Sequence, residues 1–240
     1  STSTRSPSYA GSTPAGSDAL PALDVAPWRL TGTVVGAAIA DPALLDALGE
    51  RVGQAPYRGA PRAPVLYVKP RHTLAAACSA FTLPAGADAI EAAATLALVI
   101  GHTACRVDAA AAAGCIAARA LAVDLGLPLV SWYRPAAPAR ALDGSLRLGP
   151  PQPAAADVAA APATLQVFVD GRLAQQVDTG RFLRTSAQLV ADVSEFMTLA
   201  AGDVLLVGLP HAAPLVRGGQ RVHIEGSGLG SLQFTVEGAP

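Results

Sequence analysis

Apolar runs separated by turn residues divide the chain into short predicted elements. The run from Thr33 to Ile39 predicts a buried strand, and Asp41 with Pro42 is typical of the start of a helix. Apolar residues at helical spacing between 44 and 52 predict a short helix there. Proline and glycine residues between 53 and 64 then predict a loop that ends it.

The middle of the chain predicts two strands and one longer helix. Apolar runs at 65–69 and 95–100 have the length and composition of buried strands. Asp108 precedes an alanine-rich segment that runs to about Val123. Because aspartate is a favoured N-cap and alanine has the highest helix propensity, we predict a helix over this segment.

The last third predicts mainly strands. The run Thr164 to Val169 followed by Asp170-Gly171 is typical of a β-hairpin. Ser186 is predicted to cap a helix that extends to Phe196. Further strands are predicted at 203–208, 221–225 and 231–236.

These elements predict an α+β fold in which a bent sheet or β-sandwich carries a few short helices. Residues 1–28 are rich in Ser, Pro, Ala and Gly, a composition that favours a flexible tail. We therefore expect one folded domain over residues 29–240.

Composition and charge narrow the classes of partner. The 17 basic and 18 acidic residues nearly cancel, so we expect neither nucleic acid nor an anionic membrane as a partner. The apolar stretches are too short or too interrupted to predict a membrane helix. Three cysteines without a C-x-x-C motif, and no targeting pattern in the first residues, lead us to expect a cytoplasmic location.

Several phrases, in order, resemble the fumarylacetoacetate hydrolase family over residues 30 to 236. They are Tyr67-Val68-Lys69-Pro70-Arg71, LALVIGHTA from Leu96, SWYRP from Ser131, Asp143-Gly144, VDGRLAQQVDTG from Val169, the segment 186–199 and GDVLLVGLP from Gly202. They are most similar to the amino-terminal half of the family's bifunctional isomerase/decarboxylases of homoprotocatechuate degradation. The resemblance implies a fumarylacetoacetate hydrolase-like mixed β-sandwich or roll.

The resemblance also implies a degenerate metal site. The family binds Mg²⁺ or Mn²⁺ through a Glu-x-Glu and an aspartate, and these positions fall on Ala93, Thr95 and Asp124. One carboxylate does not hold such an ion tightly, so we expect weak or no metal binding. Asp88 and Glu91 would need a different backbone path to replace the lost ligands. For Asp124, a helix-terminal structural role and a surviving polar pocket stay open.

Cations and one histidine are the remaining candidates for substrate chemistry. The family's active-site lysine falls on Arg140, which retains the charge but does not lose a proton. The threonine that holds a substrate carboxylate falls on Leu209. The other candidates for binding a dicarboxylate are Lys69, Arg71, Arg134, Gln175 and Arg181. His72 is the candidate for proton transfer because imidazole titrates near neutral pH. For His102, His211 and His223 we favour structural or exposed positions.

Two functions remain open. By resemblance, the chain is a 2-hydroxyhepta-2,4-diene-1,7-dioate isomerase and 5-oxopent-3-ene-1,2,5-tricarboxylate decarboxylase subunit of 4-hydroxyphenylacetate degradation, acting on a small dicarboxylate or tricarboxylate. The alternative is a catalytically inactive structural or regulatory subunit that pairs with a metal-competent sister chain. In both cases we expect a homodimer, or a heterodimer with a paralogous chain.

Overall fold

The computed structural model describes residues 32–129, 131–132 and 137–239. The tail predicted at 1–28 and the candidate Arg134 lie outside these residues.

Strands are the most frequent regular elements of the described chain. In chain order they are β1 (Val34–Ala37), β2 (Leu66–Lys69), β3 (Leu74–Ala75), β4 (Phe81–Thr82), β5 (Ala89–Ile100), β6 (Ile116–Gly126), β7 (Leu146–Leu148), β8 (Gln152–Pro153), β9 (Thr164–Val169), β10 (Arg172–Asp178), β11 (Val204–Leu206), β12 (Leu215–Arg217), β13 (Arg221–Gly226) and β14 (Gly230–Glu237). The helices are α1 (Pro42–Leu48), α2 (Ala109–Ala112), α3 (Ala137–Arg140), α4 (Ala156–Ala159) and α5 (Ser186–Ser194).

The larger sheet curls until its two edges approach each other. Its strand order is β2-β1-β11-β5-β6-β7-β3, with β12 beside β5 and β8 beside β6. Thus β2 and β3 are opposite edges, although only residues 70–73 separate them in the chain. Because so short a segment spans less than about 20 Å, the sheet must roll up. The roll brings Lys69 on β2 close to β6, four strands away in the sheet order.

Alternate residues of the central strands face the inside and the outside of this roll. Ala93 and Ala97 on β5, with Ala120 and Ala122 on β6, contribute to the apolar cluster inside it. The intervening larger residues face the second sheet. Small side chains on the inner face leave space for polar side chains to enter the roll, which positions the candidate site.

The second sheet covers the outside of the roll. Its strand order is β10-β9-β13-β14-β4, and all but the β14–β4 pair are antiparallel. Leu165, Val167, Ile224 and Phe234 point from it into the main core. This two-layer arrangement confirms the predicted α+β fold with mixed sheets and a few short helices.

The predicted alanine-rich helix from Asp108 to Val123 is wrong beyond its first turns. Asp108 does cap a helix by accepting a hydrogen bond from the Ala111 amide at 2.8 Å, but α2 contains only four residues. From Ile116 the chain becomes β6, which pairs with β5 along nearly its whole length. Hydrogen bonds to β5, together with burial of both faces of β6, outweigh the helix propensity of alanine.

Most other predicted elements are confirmed, with small shifts of their ends. The β9–β10 hairpin turns at Asp170-Gly171, and both turn residues have positive φ. The N-cap of α5 is Thr185 instead of the predicted Ser186, and the helix ends before Phe196. No helix in the described part of the chain is long and apolar enough to cross a membrane.

Candidate functional site

The centre of the candidate site is a buried ion pair inside the roll. The Lys69 ammonium donates to Asp124 Oδ1 and to Ser145 Oγ, each at 2.8 Å, and to the carbonyl oxygen of Arg140. The Lys69 and Asp124 side chains have no solvent exposure. Burial lowers the pKa of Lys69, whereas the Asp124 charge opposes that decrease. Since an ammonium has three N–H donors, those of Lys69 are all in use.

Asp124 lies on a strand, not at a helix end as one sequence-based alternative had it. It is directly opposite Ala93 in the β5–β6 ladder, and Thr95 is opposite Ala122. The Thr95 hydroxyl donates to the Gly208 carbonyl at 2.6 Å, inside the protein. The positions expected for the family's glutamates therefore do face Asp124, and they carry a methyl group and a hydroxyl already bonded to the backbone.

A second ion pair lies beside the first. Arg140 Nη2 donates to Glu91 Oε2 at 2.6 Å, and the Arg140 side chain is 2% exposed. Its guanidinium lies against Gly126, where an added Cβ would collide with it. Burial raises the pKa of Glu91, and the Arg140 charge opposes this increase. Glu91 is therefore the partner of Arg140 in this structure.

Several polar atoms of this region are buried and lack a hydrogen-bond partner among the described residues. They are the Tyr67 hydroxyl, Asp124 Oδ2, and Nε and Nη1 of Arg140. Burial raises the pKa of Tyr67 well above its ordinary value, and the nearby Asp124 carboxylate raises it further through its charge and through a contact with the hydroxyl that is too long or too poorly aligned for a normal hydrogen bond. Buried polar groups without partners are uncommon and are typical of places that receive a water or a ligand. Two of these atoms belong to Arg140, so the groups without a hydrogen-bond partner include donors of a positively charged side chain.

The residues present do not fit a divalent cation. Mg²⁺ and Mn²⁺ need several oxygen ligands with negative charge, but Glu91 is paired with Arg140, and Asp124 is the other carboxylate of the site. The Lys69 ammonium already binds that carboxylate, and Arg140 adds a second positive charge. No group of three His, Cys, Asp or Glu side chains within the described ranges has a metal-binding arrangement. We therefore derive no catalytic step through a metal ion.

His72 lies beside this site and not inside it. Its Nε2 is 2.9 Å from the Ala141 carbonyl oxygen and 3.8 Å from Asp143 Oδ1, and half of its side chain is exposed. Arg71 is also exposed. The roles predicted for His72 and Arg71 stay predictions.

Gln175 lies on β10 of the second sheet. Its amide nitrogen donates to the His211 carbonyl oxygen at 2.8 Å, and its Oε1 is buried without a partner among the described residues. The His211 amide in turn donates to Asp41 Oδ2 at 2.8 Å. A cavity of about 480 Å³ is lined by Asp41, Gln175, Arg181 and their neighbours. Gln175 and Arg181 thus share one cavity, while Lys69, Asp124 and Arg140 form a separate cluster.

Comparison with known families assigns the fold. Residues 33–237 match the family model described as fumarylacetoacetate (FAA) hydrolase C-terminal. The chain belongs to the fumarylacetoacetate hydrolase family. The match spans nearly all described residues, in agreement with the resemblance carried by the phrases around Lys69, Leu96 and Gly202.

Within the fumarylacetoacetate hydrolase family, the chain is 38% identical over 207 residues to a 4-hydroxyphenylacetate degradation bifunctional isomerase/decarboxylase of Salmonella dublin. This alignment covers 86% of the chain and 47% of the relative. The chain therefore spans about half the length of the curated relatives it matches at this level.

Two solved structures have a similar fold. A 5-carboxymethyl-2-hydroxymuconate delta-isomerase of Mycobacterium smegmatis superposes with a TM-score of 0.68 at 26% identity, covering 88% of this chain and 80% of that one. A fumarylpyruvate hydrolase of Pseudomonas aeruginosa, solved with Mn²⁺ and pyruvate, gives 0.70 at 23% identity, covering 85% and 89%. At 23% identity, the similarity to the fumarylpyruvate hydrolase supports a shared fold and nothing more.

Sequence reasoning missed several residues of the site. Tyr67, Ser145 and the pairing of Glu91 with Arg140 were not predicted. A period of two would have pointed to two of them, because Tyr67 lies two residues from Lys69, and Glu91 two residues from Ala93. Ser145 follows a turn, and no pattern in the sequence relates it to Lys69.

Proposed function

We propose that this chain is a subunit of the 2-hydroxyhepta-2,4-diene-1,7-dioate isomerase / 5-oxopent-3-ene-1,2,5-tricarboxylate decarboxylase system of 4-hydroxyphenylacetate degradation. Its similarity to the curated bifunctional isomerase/decarboxylase supports this pathway. Its own site binds the carboxylated substrate without a divalent cation.

The geometry that carries this proposal is the pair of unused Arg140 donors. Nε and Nη1 are buried without a partner among the described residues, while Nη2 is held by Glu91. A guanidinium fixed in this way is suited to binding a carboxylate through charge-assisted hydrogen bonds. Lys69 was another candidate for this role and lies in the same cluster, but its donors are occupied, so we assign carboxylate binding to Arg140.

The reaction we assign to the chain itself is the enol-to-keto shift. In that shift the enol hydroxyl releases one proton to water and one proton joins a carbon of the diene, so no redox partner is needed. His72 or a bound water supplies the proton to carbon, and Arg140 holds the substrate carboxylate. Decarboxylation needs an electron sink, and the cluster around Asp124 offers no metal set for one.

The test is an ultraviolet assay of dienol ketonisation by the purified chain, with Arg140→Gln compared with Arg184→Gln. Arg184 also forms an ion pair, with Asp192 at 2.6 Å, and serves as the matched control. We expect Arg140→Gln to lower kcat/KM by about tenfold or more, mostly through KM, and Arg184→Gln to leave it unchanged. Equal rates for all three proteins would refute a catalytic role for this cluster.

The ion pair of Lys69 with Asp124 favours a second candidate, a non-catalytic subunit that pairs with a metal-competent sister chain. In this candidate the ammonium neutralises the buried carboxylate, so the roll is stable without metal. Ala93 and Leu209 in place of polar family residues agree with this role.

The two candidates differ in where activity resides. For the second candidate, the chain alone is inactive, and co-expression with the sister chain yields a complex whose activity is unaffected by Arg140→Gln. Activity of the isolated chain that is lost in Arg140→Gln would exclude it.

A further inference from the structure

The outer face of the second sheet carries an ordered grid of side chains that the candidate site does not use. Strand register places Phe168, His223 and Gln233 side by side on β9, β13 and β14. One row away, Arg221 is opposite Thr235. These side chains line an open cavity of about 630 Å³, which is within the size range of small-molecule sites.

The middle row of this grid is an aromatic wall. The Phe168 and His223 rings are 5.9 Å apart between centroids, with an angle of 44° between their planes. His223 Nε2 lies 2.8 Å from Glu225 Oε1, which fixes the orientation of the imidazole. Phe168 is a half-buried aromatic ring on a face that is otherwise polar. A planar ring of a ligand can stack on such a wall.

The two ends of the grid carry opposite charge. Arg221 and Glu225 are four residues apart on β13, which separates their Cα atoms by about 13–14 Å with His223 between them. Arg221 forms no ion pair with any described residue. Asp170 also lines this cavity. Its carboxylate accepts from the Arg221 backbone amide and from Gln220 Nε2, each at 2.9 Å, and it forms no salt bridge with the Arg221 guanidinium. The guanidinium is therefore available to a carboxylate from outside.

We propose that this grid is a binding site for a small aromatic carboxylate that carries a hydroxyl at the opposite end of its ring. The carboxylate binds Arg221, the ring stacks beside Phe168 and His223, and the hydroxyl donates to Glu225. The site lies on the second sheet, separate from the Lys69 cluster inside the roll, and the proposal does not depend on the proposed function.

The probe is 4-hydroxyphenylacetate, titrated into the full chain by calorimetry, with the His223 ring followed by NMR. Phenylacetate lacks the hydroxyl, and 4-hydroxyphenethyl alcohol lacks the carboxylate, so each removes one contact. We expect saturable one-site binding that is weaker for both analogues, with the largest loss for the alcohol, and a shift of the His223 ring signals.

Substitutions in the grid test whether the ligand binds to this face of the second sheet. Arg221→Gln should weaken binding about tenfold, the loss of one charge-assisted contact, and Phe168→Leu should weaken it several-fold. Arg217→Gln is the matched control, an exposed arginine on neighbouring β12, and should bind like the wild type. The Arg221 side chain is exposed, so its variant should keep the wild-type melting temperature.

Three results would overturn the proposal. One is the absence of saturable binding up to about 10 mM. Another is an affinity for 4-hydroxyphenylacetate that is unchanged in Arg221→Gln. If Arg140→Gln also abolished binding, the ligand would lie inside the roll. The third is a loss of self-association in Phe168→Leu, measured by light scattering, which would make this face a contact between subunits.

Discussion

Lys69 Nζ lies 2.8 Å from Asp124 Oδ1, and both side chains are fully buried, although β2 and β6 are separated by three strands in the sheet. The rolled sheet brings them together across its interior. The pair is the electrostatic centre of the candidate site, although Asp124 Oδ2 has no partner among the described residues.

Replacing Lys69 by methionine should strongly destabilise the fold. The substitution leaves the Asp124 carboxylate buried without its cation, which costs about 3–5 kcal/mol of unfolding free energy. Urea unfolding measures this loss, and Arg71→Gln, at an exposed neighbouring position, should change stability by less than about 0.5 kcal/mol. The double variant Lys69→Met/Asp124→Leu should recover most of the loss. A single variant as stable as the wild type would show that the pair contributes little.

Mg²⁺ and Mn²⁺ should bind the chain only weakly. Ala93 and Thr95 supply no carboxylate, and Lys69 already occupies Asp124. Calorimetry should give dissociation constants no tighter than about 1 mM, with Asp124→Asn indistinguishable from the wild type. Saturable micromolar binding that disappears in Asp124→Asn would contradict this prediction and return a metal to the mechanism.

The pKa of Glu91 should rise further when Arg140 is replaced by glutamine. Burial raises this pKa above 4.5, and the Arg140 charge holds it down. A carboxyl group with a raised pKa in the folded state contributes stability below its unfolded pKa, and that contribution is lost as pH rises through the folded pKa. Arg140→Gln should therefore move this loss to higher pH and lower stability at neutral pH.

Carboxyl-carbon NMR of Glu91 and urea unfolding between about pH 4 and about pH 8 measure both effects. Arg184→Gln, which breaks the distant ion pair with Asp192, should leave the Glu91 titration unchanged. A Glu91 pKa that falls in Arg140→Gln would contradict the prediction, because it would mean that the Arg140 charge does not hold this pKa down.

The chain should self-associate, and the β2 edge is our candidate contact. Val68 is 54% exposed on this edge strand of the larger sheet. Exposed apolar edge strands favour pairing with another chain, whereas a lysine opposes it. Light scattering should give a dimer mass that falls in Val68→Lys and persists in Val158→Lys, an exposed valine on α4. A monomer in all three proteins would contradict the prediction.

Apolar runs bounded by turn residues predicted most strands from the sequence alone. The pair Asp170-Gly171 placed the turn of the β9–β10 hairpin, because that turn requires positive φ, which is a local property. The same local reasoning failed for β6, where alanine content indicated a helix. The alternation of alanine with larger residues from Ala118 to Leu125 was the signal for a strand, and it matches the two faces of the central sheet.

The candidate site also combines features that the sequence predicted with features that only the tertiary structure decided. The ordered phrases around Lys69, Leu96 and Gly202 identified the family, and alignment on LALVIG predicted that Ala93 and Thr95 stand where the family has its glutamates, because a motif is a property of the sequence. Which side chains meet was decided by the tertiary structure. Lys69 reaches Asp124 since the large sheet rolls up, and Arg140 turns to Glu91 since Gly126 leaves room for its guanidinium. These contacts depend on long-range strand pairing, which local patterns do not encode.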